Sequence, residues 1–184
     1  MRRLARGLVA LVAAVMLAAA CGGDDDAAPT TTAPDPGADE GVVPTDLTGA
    51  EVCALVDPGV LSEALGGVEL AEPQGSEIGT PQCSWSFPTE DGVTNVVLAV
   101  QRTQDDLFGL VGAEAYDYAV GLNETLLGGL ATEIEGLGTA ATFVDGDAVS
   151  GVVVQAGPRI VTLFGVDLDE DTARTIAAAA VAGL

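Results

Sequence analysis

Carboxylates and thiols carry most of the reactive chemistry in this sequence, because it contains no histidine and no lysine. Without histidine there is no Ser-His or Cys-His nucleophile and no imidazole ligand for a metal. The 28 acidic residues outnumber the six arginines, giving a formal charge of -22. A basic face able to neutralise phosphates cannot be built from such a chain, so nucleic acid is excluded as a partner. Paired carboxylates do acid-base work in glycosidases, but among so many acids a pair arises by chance and no motif selects one. The alternating acids Asp167, Asp169 and Asp171 suggest a calcium loop. Thr172 then stands where that loop needs glycine, and Ala178 where it needs the bidentate glutamate, so helix capping explains them better. Asp145-Gly146-Asp147 is a turn signal, and Gly136-Leu137-Gly138 is too short for a nucleotide loop. No cofactor or metal is implied.

The three cysteines, Cys21, Cys53 and Cys83, divide into one and two. A basic start, Met-Arg-Arg-Leu-Ala-Arg, precedes an uncharged run from Gly7 to Ala20. That run is shorter than the roughly 20 residues a membrane-spanning helix needs and fits the apolar region of a secretory signal over residues 1–20. It ends Leu17-Ala18-Ala19-Ala20-Cys21, which resembles the lipobox of bacterial lipoproteins. The resemblance implies cleavage before Cys21, lipidation of its thiol, and a chain anchored on the extracytoplasmic face of the cell membrane. Residues 22–47 then read GGDDDAAPTTTAPDPGADEGVVPTDL. Such a composition cannot bury enough apolar area to offset chain entropy. The lipidated Cys21 and this stretch, residues 21–47, are expected to form a disordered acidic tether.

Residues 48–184 have the length of one globular domain. Cys53 and Cys83 are an even pair in an exported chain and lack C-x-x-C spacing, so a structural disulfide is expected. Asp57 and Pro58 open a short helix over 57–67. Apolar spacing predicts a second helix over 105–122, weakened by Gly109, Gly112 and Gly121. Strands are expected at 84–87, 93–102, 141–144, 149–155 and 159–166, the last three as an antiparallel meander. A final helix over 169–182 has acids crowding its start. The sum is an α+β domain: an antiparallel sheet with a C-terminal meander, packed by short helices including a C-terminal one, with one disulfide.

Three segments, VCALVDPGVLSEALGG at 52–67, QCSWSF at 82–87 and IEGLGTAATFV at 134–144, follow the lipobox in order. Together they resemble a small actinobacterial lipoprotein domain family of unknown function. Its marks are a Cys-x-Leu helix start, a second Cys before a Trp and a later Gly-x-Gly turn. Val52 stands where that family often has Pro, and Thr139 where it often has an acid. The resemblance implies the Cys53–Cys83 bond and an envelope location, and no activity. Similar domains outside the membrane on sensor kinases favour ligand sensing or protein contact.

The functional expectation is a non-catalytic binding or sensing module of the bacterial envelope, contacting another envelope protein or a small ligand. The alternative is a carrier of a lipid or other apolar ligand between sheet and helices, with the helix over 105–122 as a lid. A carboxylate-dependent hydrolase is third. The contact candidates are Trp85, the only tryptophan, and Arg102 and Arg159, two of the three cations beyond the signal. Core packing is the plainer role for Trp85, and ion pairing for the arginines.

Overall fold

A computed structural model of the chain describes residues 47–90, 92–103 and 107–184. The signal segment 1–20, Cys21, the tether up to residue 46, and Asp105 and Asp106 lie outside the described residues.

The chain runs α1 (Gly49–Ala54), α2 (Pro58–Ala64), β1 (Gln74–Ser76), β2 (Gln82–Thr89), β3 (Gly92–Arg102), α3 (Gly112–Leu127), β4 (Leu130–Glu133), β5 (Ala140–Asp145), β6 (Val149–Ala156), β7 (Arg159–Val166) and α4 (Glu170–Ala182). The seven strands form one sheet in the order β1-β2-β3-β7-β6-β5-β4. Every neighbouring pair is antiparallel. The expected meander is its right half, with Val144 opposite Gly151 and Ala156 opposite Arg159.

Local chemistry sets the helix starts. Thr48 accepts from the Glu51 backbone N–H while the Glu51 carboxylate accepts from the Thr48 N–H, a reciprocal cap on α1. Asp57 accepts from Gly59 and Val60, with Pro58 in the first turn of α2. Asp169 accepts from the backbone and hydroxyl of Thr172 at the start of α4. That contact uses one of the acids of the calcium-like stretch as a cap.

Helices lie on both sides of the sheet. On one side α1 packs on β1, β2 and β3, α4 packs on β6 and β7, and α2 packs on α4. Trp85, Leu98, Val152, Leu163 and Ile176 are fully buried between these layers. A buried aliphatic side chain of this size contributes about 2 kcal/mol. On the other side α3 packs mainly on β5 and β6. There Ala115 and Ala119 meet Val153 and Ile160 in a second, smaller core.

Four expectations need correction. The helix expected over 105–122 begins at Gly112 and ends at Leu127. Phe108, Gly109 and Gly112 all have positive φ, which keeps the preceding segment in turns, and nothing stops the helix before Gly128 turns left-handed. The strand expected at 84–87 runs from Gln82 to Thr89 because pairing with β3 continues through Pro88. The helix expected over 57–67 is α2, which stops at Ala64 before Gly66 and Gly67, both with positive φ, and α1 ahead of it was not anticipated. The short edge strands β1 and β4 were not anticipated, since QGS and LATE have no apolar alternation.

Candidate functional site

The sulfur of Cys53 on α1 is bonded to that of Cys83 on β2, with Cα atoms 5.0 Å apart. The bond ties the first helix to the sheet over a separation of 30 residues. Trp85 lies two residues further along β2 on the same face and is 0% exposed. It presents no surface to a ligand or partner. The period of two puts it in the core with Cys83 and Phe87, whereas isolation as the only tryptophan had suggested a contact.

Arg102 and Arg159 are brought together. They are register partners across β3 and β7, half-buried, at the same end of the sheet. Both share the parity of Val100 and Val161, so both belong to the helix-rich face. A cleft of about 390 Å³ opens beside Arg159, walled by Gly138, Thr139, Gly157 and Pro158. Hydrogen bonds from Thr48 hold the Glu51 carboxyl below its ordinary pKa, and the Arg159 charge acts in the same direction. Each arginine already has an interaction within the fold. Arg174 is separate: its guanidinium donates to the Glu135 carbonyl at 3.0 Å. The sequence places Arg102 and Arg159 57 residues apart, and only the β3–β7 register makes them neighbours.

The Gly-x-Gly turn is structural. Gly136 and Gly138 have φ of 77° and 60°, and a Cβ on Gly138 would lie 2.4 Å from the Gln155 carbonyl oxygen. On the α3 side, Tyr116 and Thr142 share a hydrogen bond at the edge of two neighbouring clefts. Burial pushes the Tyr116 phenol above its ordinary pKa, against the hydrogen bond with Thr142, which acts the other way.

The least expected feature is the half of the sheet that α3 leaves bare. Among the described residues no helix lies over β2 and β3 on this side. The side chains alternating onto it are Gln82, Ser84 and Ser86 from β2, then Asn95, Val97, Ala99 and Gln101 from β3. Phe164 and Val166 add to it from β7. None carries a charge, although residues 48–184 hold 21 acids. Ser86 donates to Asn95 Oδ1 at 2.6 Å, one of the polar links across this floor.

One flank of α3 borders the floor. Tyr116, Val120 and Glu124 point to the cleft at β4 and β5, so helical rotation turns Tyr118, Leu122 and Leu126 the other way. Leu126 is 71% exposed, and Phe108, 83% exposed, meets the Tyr118 ring edge-on at 5.7 Å. An exposed run of large apolar side chains beside an uncharged floor is an unusual surface for a soluble fold. Sequence reading missed it because the residues come from three strands and a helix. The signal that could have found it was the lack of any acid at alternate positions 95–101.

The chain matches no protein-family model, no curated protein and no solved structure.

Proposed function

We propose that the chain is a lipid-anchored, extracytoplasmic binding module of a bacterial cell envelope, and that it makes contact through the uncharged floor and the apolar flank of α3. Residues 17–21 supply the anchoring reading, and the resemblance to the actinobacterial lipoprotein domains agrees with it. The Cys53–Cys83 bond supports the outer side of the membrane, because such bonds persist in oxidising compartments. The binding half of the reading rests on one observation: a strongly acidic domain keeps a half-bare sheet face free of charge. Desolvating neutral side chains costs far less than desolvating carboxylates, so this is the face on which another surface can be buried cheaply.

The module is non-catalytic in this reading. That part of the reading rests on the sequence, which holds no histidine or lysine and no motif that selects a pair among its acids. As a carrier it has less to offer. Ala115 and Ala119 are small and buried, which brings α3 close onto Val153 and Ile160 where a ligand would sit. The test is co-purification from the organism's own membranes with wild-type protein and with a Val97→Asp, Leu126→Asp double variant. Partners retained by wild type and lost by a folded double variant support the reading. Equal recovery by both removes the floor as the contact face.

A further inference from the structure

The chain that connects Cys21 to the domain enters it at one end of the sheet. Thr48 caps α1, and Gly49 lies so close to β1 that a Cβ there would be 2.4 Å from the Ser76 nitrogen. Ser76 leads into the β1–β2 turn and accepts from the Ile78 backbone N–H at 3.3 Å. The turn is pinned to β3, since the Gln101 side chain donates to Thr80 Oγ1 and the Val100 N–H to the Pro81 carbonyl. Ile78 is left 90% exposed at this junction. Arg102 and Arg159 pair at the same end, next to the β6–β7 turn. Arg174, the third arginine of the domain, donates to the Glu135 carbonyl in the β4–β5 loop, which opens at this end too.

The opposite end has another character. Glu90 follows β2, Asp145 and Asp147 stand at the β5–β6 turn, and Asp167, Asp169 and Glu170 lead into α4, all of them exposed. Among the described residues the arginines at the first end are set against Glu51, Glu77, Glu114 and Glu135, so charge there is close to balanced. The domain is therefore polarised along its strands. A neutral surface does not distinguish the two ends, but an anionic lipid surface does: it repels the acidic turns and tolerates the end where the chain enters. The 11 residues of β3, at about 3.3 Å each, hold the two ends roughly 35 Å apart, several Debye lengths at physiological salt. A tether of 26 residues, by the square-root rule, keeps the junction within roughly 30 Å of its anchor, so weak contacts of that end with lipid are intramolecular. We infer that the sheet end carrying Ile78, Arg102 and Arg159 faces the headgroups of the membrane that anchors the chain, with Ile78 in contact with lipid and the acidic turns pointing away. This rests on the lipid anchor at Cys21 and adds the orientation it imposes. The uncharged floor then stands upright from the bilayer, open to a neighbouring protein.

Lipidated full chain, purified from its own membranes and reconstituted into vesicles, tests the orientation. A benzoylphenylalanine replaces Ile78 in one preparation and Val93, 74% exposed at the far end, in another. Both sites are on the surface, and unchanged near-ultraviolet circular dichroism shows that each protein is folded. In vesicles rich in phosphatidylglycerol, photolysis should give at least tenfold more lipid adduct from position 78 than from position 93. The ratio should fall towards one in phosphatidylcholine vesicles, and also in about 1 M salt, where charges are screened within about 3 Å. Equal yields from the two positions in anionic vesicles, with the protein still floating with them, would overturn the orientation and leave the anchor standing. A preference for position 78 that ignores lipid charge and salt would overturn the charge polarity that orients the domain. Adducts of position 78 with residues 22–46 of the chain in place of lipid would overturn the contact. Protein that fails to float with vesicles of either kind would overturn the anchor and the orientation together.

Discussion

On one side of the sheet Trp85, Leu98, Leu163 and Ile176 are fully buried under α1, α2 and α4, and a disulfide pins the first helix down. On the other side a single helix covers part of the surface, and Val97, Ala99 and Phe164 remain half-exposed beside Tyr118, Leu122 and Leu126. The same strands supply both sides, since their side chains alternate. The difference lies in what covers them. Stability is concentrated on the helix-rich side, so the other side is free to keep an unfilled, uncharged surface at little cost to the fold. A protein selected only for solubility would place some of its 28 acids there.

Substitutions on the two sides should therefore separate stability from association. The largest effect is expected from Trp85→Ala, which empties the fully buried ring and should cost about 4 kcal/mol by urea unfolding. Next is the Cys53→Ser, Cys83→Ser pair. Releasing a loop of 30 residues should cost about 3.5 kcal/mol in the chain-entropy view, measured the same way. A loss below about 1 kcal/mol from either would show that the helix-rich side does not dominate stability.

The Gly-x-Gly turn gives a finer comparison. Gly138→Ala meets both a left-handed backbone and the Gln155 carbonyl, and should cost about 2–3 kcal/mol. Gly136→Ala meets only the backbone penalty, about 1 kcal/mol, because its nearest neighbour is the end of the Arg174 side chain at 3.8 Å. Equal thermal shifts for the two would contradict this. On the open side, Leu126→Asp should change stability by less than about 0.5 kcal/mol while reducing the recovery of partners from membranes.

The smallest effect is a pH dependence. The hydrogen bonds from Thr172 hold the Asp169 carboxyl below its ordinary pKa. Its folded pKa is thus lower than its unfolded one. The cap contributes its full share above the ordinary carboxylate range, and that share is lost as pH falls through the folded value. Asp169→Asn keeps a capping oxygen without titrating, so its thermal midpoint should fall less on acidification than that of wild type. Parallel curves would remove the carboxylate from the cap.

Much of the architecture was legible because period and turn chemistry agree. The 149–155 and 159–166 runs, broken by Gly157-Pro158, read as a hairpin and form one. The Asp57-Pro58 start and Asp169 before α4 read as caps and act as such. The start of α3 was misplaced because Leu107 and Leu110 keep helical spacing although Gly109 turns the chain out of it. Pairing of Cys53 with Cys83 was expected by parity, and the structure supplies the geometry. The contact candidates were less legible. Trp85 was conspicuous by type and is buried, whereas Val97, Phe164 and Leu126 were inconspicuous and become a surface only when strand register and helix rotation assemble them. Neighbourhood across a sheet is a property of register, which no local window contains.

A module that works at a membrane must be held there, and the sulfur of Cys21 is the only group proposed to hold it. Intact-mass measurement of the protein extracted from its own membranes is the most direct test. The expected mass is that of a chain beginning at residue 21 with a diacylglyceryl thioether added. A lipid-free mass, or one that includes residues 1–20, from protein that partitions into the aqueous phase would contradict the anchored module.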